Sequence, residues 1–171
     1  AELLPMSNPD FESGPPSINA IELSRVVDRG IREGGFIDFK KLCVEEGEKV
    51  WVVLIDIMTI NVDGNLFDAA ALGAVIALKN ARVPKIEDDK VNYKELTKEG
   101  VPLSKKDPLS ITVCKIGDTL IIDPTYEEEK IVDARLTVAI TNDGNICSMQ
   151  KGGEEPLDVD SIQEKLKTKS N

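Results

Sequence analysis

The 171-residue chain carries 31 acidic against 21 basic side chains, a formal net charge of −10, and no histidine. Without histidine the usual general base, zinc ligand and nucleophile activator are all missing, which removes most hydrolase and metalloenzyme schemes. The acidic balance excludes nucleic-acid binding through overall charge, so any such contact has to come from a local cluster of arginine or lysine.

An apolar share of 41% is enough for one ordinary domain or two small ones. No apolar run is long enough to span a bilayer, and the opening AELLPMSNPD lacks the basic patch and apolar stretch of a secretion signal. A cytoplasmic protein with no membrane partner is expected. Cys43, Cys114 and Cys147 lie far apart in strand-like segments without C-x-x-C spacing, so they are expected to be buried thiols. The first residue is not Met and the opening is rich in Pro and Ser, which suggests a loop entered from an upstream segment.

In chain order, residues 19–32 place Leu23, Val26, Val27, Gly30 and Ile31 at the spacing of a helix with one buried stripe. Asn19 with Glu22 resembles a capping box, and Gly34-Gly35 ends the helix. After a short segment at 37–44 and a turn at Glu46-Gly47-Glu48, the run VWVVLIDIMTI at 50–60 predicts a central strand. Asp56 interrupts that run and needs a partner if it is buried, more simply a structural one than a catalytic one. The turn Val62-Asp63-Gly64-Asn65 leads into a helix rich in Ala and Gly between Asp68 and Ala81, thin enough to lie close on a sheet and stopped by Pro84. No G-x-G-x-x-G or Walker pattern accompanies it.

Between Lys85 and Pro108 the sequence is polar, charged and proline-containing, and predicts a linker. Strands follow at 109–116, 119–123, 134–141 and 145–151, with turns at Gly117-Asp118 and Asn142-Asp143-Gly144. A closing helix starts near Asp158 or Asp160 and buries Ile162 and Leu166. The class is α+β: the second half of a first β/α domain at 1–86, a linker at 87–107, and a smaller ββββα domain at 108–171.

Two long stretches carry a family resemblance. NAIELSRVVDRGIREGGFIDFKKLCVEEGEKVWVVLIDI followed by DGNLFDAAALGAVIALKNARVP resembles the second half of the first domain of the non-catalytic RNase PH-like subunit of archaeal exosomes, and LSITVCKIGDTLIIDPTYEEEKIVDARLTVAITNDGNICSMQKGG resembles its second domain. The resemblance implies an RNase PH-like fold whose upstream part is absent here. It also implies a hexameric ring of heterodimers with a catalytic RNase PH-like subunit that degrades RNA from the 3′ end with inorganic phosphate, a cap of S1 or KH proteins, and single-stranded RNA threaded through the pore. No cofactor is expected.

Catalytic members of that family carry Gly-Gly-Thr/Ser-Arg before the small-residue helix, where backbone N–H groups, a hydroxyl and a guanidinium hold phosphate. This chain reads Gly64-Asn65-Leu66-Phe67, which lacks the hydroxyl and the arginine. Catalytic members also place two aspartates at the positions that here match Glu129 and Arg135, so an ion pair stands where metal-assisted or general-acid chemistry would need two carboxylates. Taken without the family, residues 127–129 are an acidic, solvated turn.

Arg25, Arg29 and Arg32 project from one face of the first helix at i, i+4 and i+7. Two readings stand for them. They form a solvated face in which Glu22, Asp28 and Glu33 supply local partners, or a row that grips RNA phosphates. The resemblance implies the second, since arginines on the matching helix line the RNA path. With no aromatic residue in that helix, base stacking is not expected there, and Trp51 is expected in the core. A silent RNA-binding scaffold, an active phosphate-dependent exoribonuclease and a purely structural subunit are the three functional readings, of which the two departures from the catalytic pattern favour the first.

Overall fold

The structure is a computed structural model that describes residues 1–87 and 90–158. The expected closing helix lies outside the described residues.

Helix α1 spans Ile18–Glu33 and buries Ala20, Leu23, Val26, Val27, Gly30 and Ile31, the apolar stripe read from the sequence. Its cap is Ser17, whose hydroxyl accepts from the Ala20 N–H, and not the expected Asn19. The helix closes at Gly34, and Gly35 takes a left-handed φ of +62°, for which glycine carries no steric penalty. A 3-10 turn at Phe39–Leu42 leads to a short antiparallel pair, β1 (Cys43–Glu45) and β2 (Lys49–Val50).

Residues 51–60 correct the expectation of a central strand. They are extended and alternate in burial, with Trp51, Val53, Ile55 and Ile57 packed on the core and Val52, Leu54, Asp56, Met58 and Ile60 facing out. A strand needs a ladder, and among the described residues this run forms only one parallel bridge, between Met58 and Glu2. Asp56 is exposed, so it needs no buried partner.

Helix α2 runs over Leu66–Asn80 and packs Ala71, Ala74, Val75 and Leu78 against α1, Phe36, Ile37 and Leu42 to make the first core. It ends with Ala81 already extended, ahead of Pro84, which sits inside the next strand. The segment expected as a linker is largely a hairpin, β3 (Arg82–Glu87) with β4 (Lys90–Gly100). Both of its faces are largely exposed, so its strands show little of the apolar alternation that would have revealed them. Lys85 bridges it internally, 2.6 Å from Glu87 and 3.4 Å from Glu95.

The four expected strands form one antiparallel sheet in the order β6-β5-β7-β8: β5 (Pro108–Ile116), β6 (Thr119–Ile122), β7 (Ala134–Thr141) and β8 (Ile146–Gly153). A short helix α3, Tyr126–Glu129, connects β6 to β7. Helix α1 lies on this sheet, and a side chain at Gly30 would bring its Cβ within 3.3 Å of the Ala139 Cβ. Glycine at that position sets how closely helix and sheet approach.

Candidate nucleic-acid interface

The site divides into an outer face on α1 and an inner cluster beneath it. On the outer face Arg25 and Arg29, one helical turn apart, are exposed and have no ion-pair or hydrogen-bond partner among the described residues. They border a shallow groove of about 230 Å³ together with Ile18, Ile21, Glu22 and Gln150. Arg32 is set apart: it pairs with Asp28 at 2.9 Å, the i, i+4 neighbour, and does not line the groove. The structure therefore brings two of the three expected arginines together and occupies the third.

The inner cluster is built where the start of α2 meets α3 and β7. Gly64 takes φ +91°, and an added Cβ would fall 2.2 Å from the Pro124 carbonyl oxygen, so only glycine allows this turn to lie against the chain entering α3. Asn65 follows at φ +48° and donates its backbone N–H to Glu129 at 2.8 Å. Its side-chain amide donates to Asp68 at 3.0 Å and to Asp123 at 2.8 Å. Asp68 in turn accepts from the Thr112 N–H at 3.0 Å and the Thr112 hydroxyl at 2.7 Å. These bonds tie the first turn of α2 to β5, with the Asp68 carboxylate at the positive end of the helix dipole.

Glu129 and Arg135 converge on this cluster, but not as the expected ion pair. Arg135 donates to Glu22 of α1 at 2.6 Å, and Glu129 accepts from Asn65. The guanidinium lies over the Phe67 ring, 4.0 Å from guanidinium carbon to ring centroid. Two positions that depart from the catalytic pattern thus touch each other through a cation–π contact. Burial pushes the Glu129 carboxyl above the usual carboxylate range, against the pull of the Asn65 N–H and of nearby Arg135. Residues 127–129 are not simply a solvated turn: they belong to α3, where Thr125 and Glu128 form a capping box and Glu129 turns inward.

Glu22, Phe67, Cys114, Glu129 and Arg135 border a cavity of about 1050 Å³ that the N-terminal loop closes on one side. The loop is held there by a hydrogen bond from the Tyr126 hydroxyl to Asp10. Of the thiols expected to be buried, Cys114 is, Cys147 is half-buried, and Cys43 is exposed, because β1 is a surface strand.

Sequence reasoning missed two members of this cluster. Asp68 carried a readable signal, an acidic residue in the first turn of a helix three positions after Asn65. Glu22 carried none, since its partner Arg135 is 113 residues away.

A two-layer α+β arrangement with a helix lying on an antiparallel four-stranded sheet, preceded by a glycine turn into a small-residue helix, defines the class on geometry alone. Comparison with known proteins makes it specific. The profile of the 3′ exoribonuclease family, domain 1, matches residues 1–84, and that of the same family's domain 2 matches residues 108–168. The chain belongs to this RNase PH family.

It is 54% identical over 155 residues to the exosome complex component Rrp42 of Methanopyrus kandleri, covering 89% of this chain and 57% of that protein. To the Rrp42 component of Methanothermobacter thermautotrophicus it is 48% identical over 164 residues, covering 95% of this chain and 60% of the relative. Among solved structures, the Archaeoglobus fulgidus exosome with RNA bound to the active site superimposes with a TM-score of 0.87 at 44% identity, over 97% of this chain and 63% of that one. The chain therefore spans less than two thirds of the length of these relatives. No helix among the described residues is long and apolar enough to cross a membrane.

Proposed function

We propose that the chain is part of a non-catalytic scaffold and RNA-binding subunit of an exosome core. In this reading it pairs with a catalytic RNase PH-like subunit in a hexameric ring, under a cap of S1 or KH proteins, and contributes to 3′-to-5′ RNA degradation in the cytoplasm. The observation that carries the reading is the contact of Arg135 with Phe67 and Glu22. Where catalytic relatives would present an arginine and a hydroxyl to phosphate and two carboxylates to the reaction, this chain packs a guanidinium on a ring and ties it to a carboxylate. With Nη2 bonded to Glu22, the charge of this arginine is already matched by a carboxylate, although its Nε has no partner among the described residues. Glu129 is left as a single carboxylate hydrogen-bonded to backbone.

Arg25 and Arg29 supply the RNA contact in this account. They are exposed, unpaired among the described residues and adjacent on a groove, in a chain whose net charge of −10 makes such a cluster stand out. Contacts from point charges to phosphates are independent of base identity, which suits a ring that accepts any single strand. Arg32, held by Asp28, contributes less.

The test is a filter-binding series on the assembled heterodimer carrying Arg25→Glu and Arg29→Glu. RNA affinity is expected to fall about tenfold or more, with a log–log salt slope shallower by about 1.4, or 0.7 for each lost single-strand phosphate contact. Binding and degradation equal to the parent at the same salt would refute the assignment.

A further inference from the structure

We propose that Arg135 is a positioning residue for the RNA-binding helix: by holding the Glu22 carboxylate it keeps the Arg25 guanidinium free. The proposal deepens the reading above and rests on Arg25 and Arg29 being the RNA contacts.

The sequence of α1 offers its outward arginines acidic neighbours. Glu22 precedes Arg25 by three residues, Asp28 precedes Arg32 by four and Glu33 follows Arg29 by four, spacings at which helix side chains meet. Only one of these pairs forms. Asp28 and Arg32 are 2.9 Å apart, whereas Glu22 turns away to accept from Arg135 at 2.6 Å and from the Gln150 side chain at 3.5 Å. Arg25 is left without a partner among the described residues. What draws Glu22 away from Arg25 lies in β7, beneath the helix.

Arg135 is built to hold that carboxylate. Its guanidinium rests on the Phe67 ring, and Gly152, its register partner on β8, leaves the space that it occupies. A Cβ at Gly152 would come within 2.6 Å of the Arg135 Nη2 and 3.2 Å of its Cζ. Both side chains of the pair are largely shielded, Arg135 at 21% and Glu22 at 28% exposure, against 54% and 58% for the Arg32–Asp28 pair. A shielded pair is harder to break, because separating it leaves a poorly solvated charge. Glu22 freed from Arg135 has its nearest cation on its own helix at Arg25. There it would both neutralise the arginine and repel an incoming phosphate.

The experiment uses the full-length subunit assembled with its ring partner and a fluorescent single-stranded RNA, with anisotropy read across a salt series. Arg135→Gln is expected to weaken binding about threefold, the size of one partly screened charge interaction, and to flatten the salt slope by up to about 0.7. Adding Glu22→Gln to that variant removes the competing carboxylate and is expected to restore the parental affinity and slope, which a loss of general structural support would not do.

Should Arg135→Gln fail to assemble, Gly152→Ala displaces the guanidinium without changing the charge of the protein. The same loss and the same rescue by Glu22→Gln are expected. A loss that Glu22→Gln does not restore would overturn the proposal in favour of direct RNA contact or structural support by Arg135. An unchanged affinity in Arg135→Gln, with Arg25→Gln impaired, would overturn it while leaving the RNA contact standing. If Arg25→Gln with Arg29→Gln also binds like the parent, both readings fall.

Discussion

Replacing Asp68 by Ala tests whether the inner cluster is a rigid support for the start of α2. The carboxylate accepts three hydrogen bonds, from the Thr112 N–H, the Thr112 hydroxyl and the Asn65 amide. One of these donors has somewhere else to go: the hydroxyl can turn to Thr137, 3.0 Å away, while the amide keeps only its other bond, to Asp123. The Thr112 N–H is aimed at Asp68 and Thr112 is only 1% exposed, so the change takes the acceptor from a dry backbone donor and removes charge-assisted bonds.

Leaving such a donor unmet costs about 1–3 kcal/mol, and with the weakened remaining bonds the total comes to about 3 kcal/mol. Asp68→Asn keeps one oxygen that can accept from Thr112 and should cost about half as much. Urea unfolding of the full-length protein measures both, read as a lower midpoint at unchanged m-value. A loss below about 1 kcal/mol for Asp68→Ala would refute the reasoning, since it would mean that water or a local shift supplies the missing acceptor.

Two further predictions concern titratable groups. Because the Glu129 carboxyl is raised by burial, the folded chain binds that proton more readily than the unfolded one, so its ionisation lowers stability as pH rises above the ordinary carboxylate range. Glu129→Gln keeps an acceptor for Asn65 and is expected to gain stability relative to the parent as pH rises above the ordinary carboxylate range, in parallel denaturation curves. A difference that is flat with pH would contradict the stated cause. Of the thiols, exposed Cys43 should be alkylated first at about pH 8, and Cys114, buried and pushed up to about 11, only after unfolding. Peptide mapping of prompt label on Cys114 in the native protein would count against its burial.

What could be read from the sequence follows the range of the signals involved. The buried stripe of α1 was legible because helical periodicity is local, and the β5–β6 and β7–β8 hairpins because Gly117 and Gly144 mark their turns with positive φ. The cap at Ser17 was displaced to Asn19 because Asn19 and Glu22 satisfy a capping-box spacing, although Glu22 is engaged elsewhere. The β3–β4 hairpin was hidden because water meets both its faces, and the 51–60 run was over-read because composition reveals extended backbone but not whether a ladder partner is present. At the site, the spacing of Arg25 and Arg29 was visible. The charges around them were not, since Glu22 is held by Arg135 from strand β7, far along the chain. Glu129 and Arg135 were correctly grouped but wrongly paired, because spacing along the chain does not say which way a side chain turns on leaving a short helix.

The proposed non-catalytic role rests on Leu66 and Phe67 standing where phosphate would meet a hydroxyl and an arginine, with Arg135 held by Glu22 and Phe67. Incubation of the purified full-length subunit alone with single-stranded RNA and inorganic phosphate tests it most directly, with nucleoside diphosphates measured as product. No release above a no-enzyme control is expected, because Arg135 is bonded to Glu22 and packed on Phe67, and the Leu66 and Phe67 side chains offer phosphate neither a hydroxyl nor a charge. Phosphate-dependent release of nucleoside diphosphates would contradict the account and establish the chain as part of an active exoribonuclease.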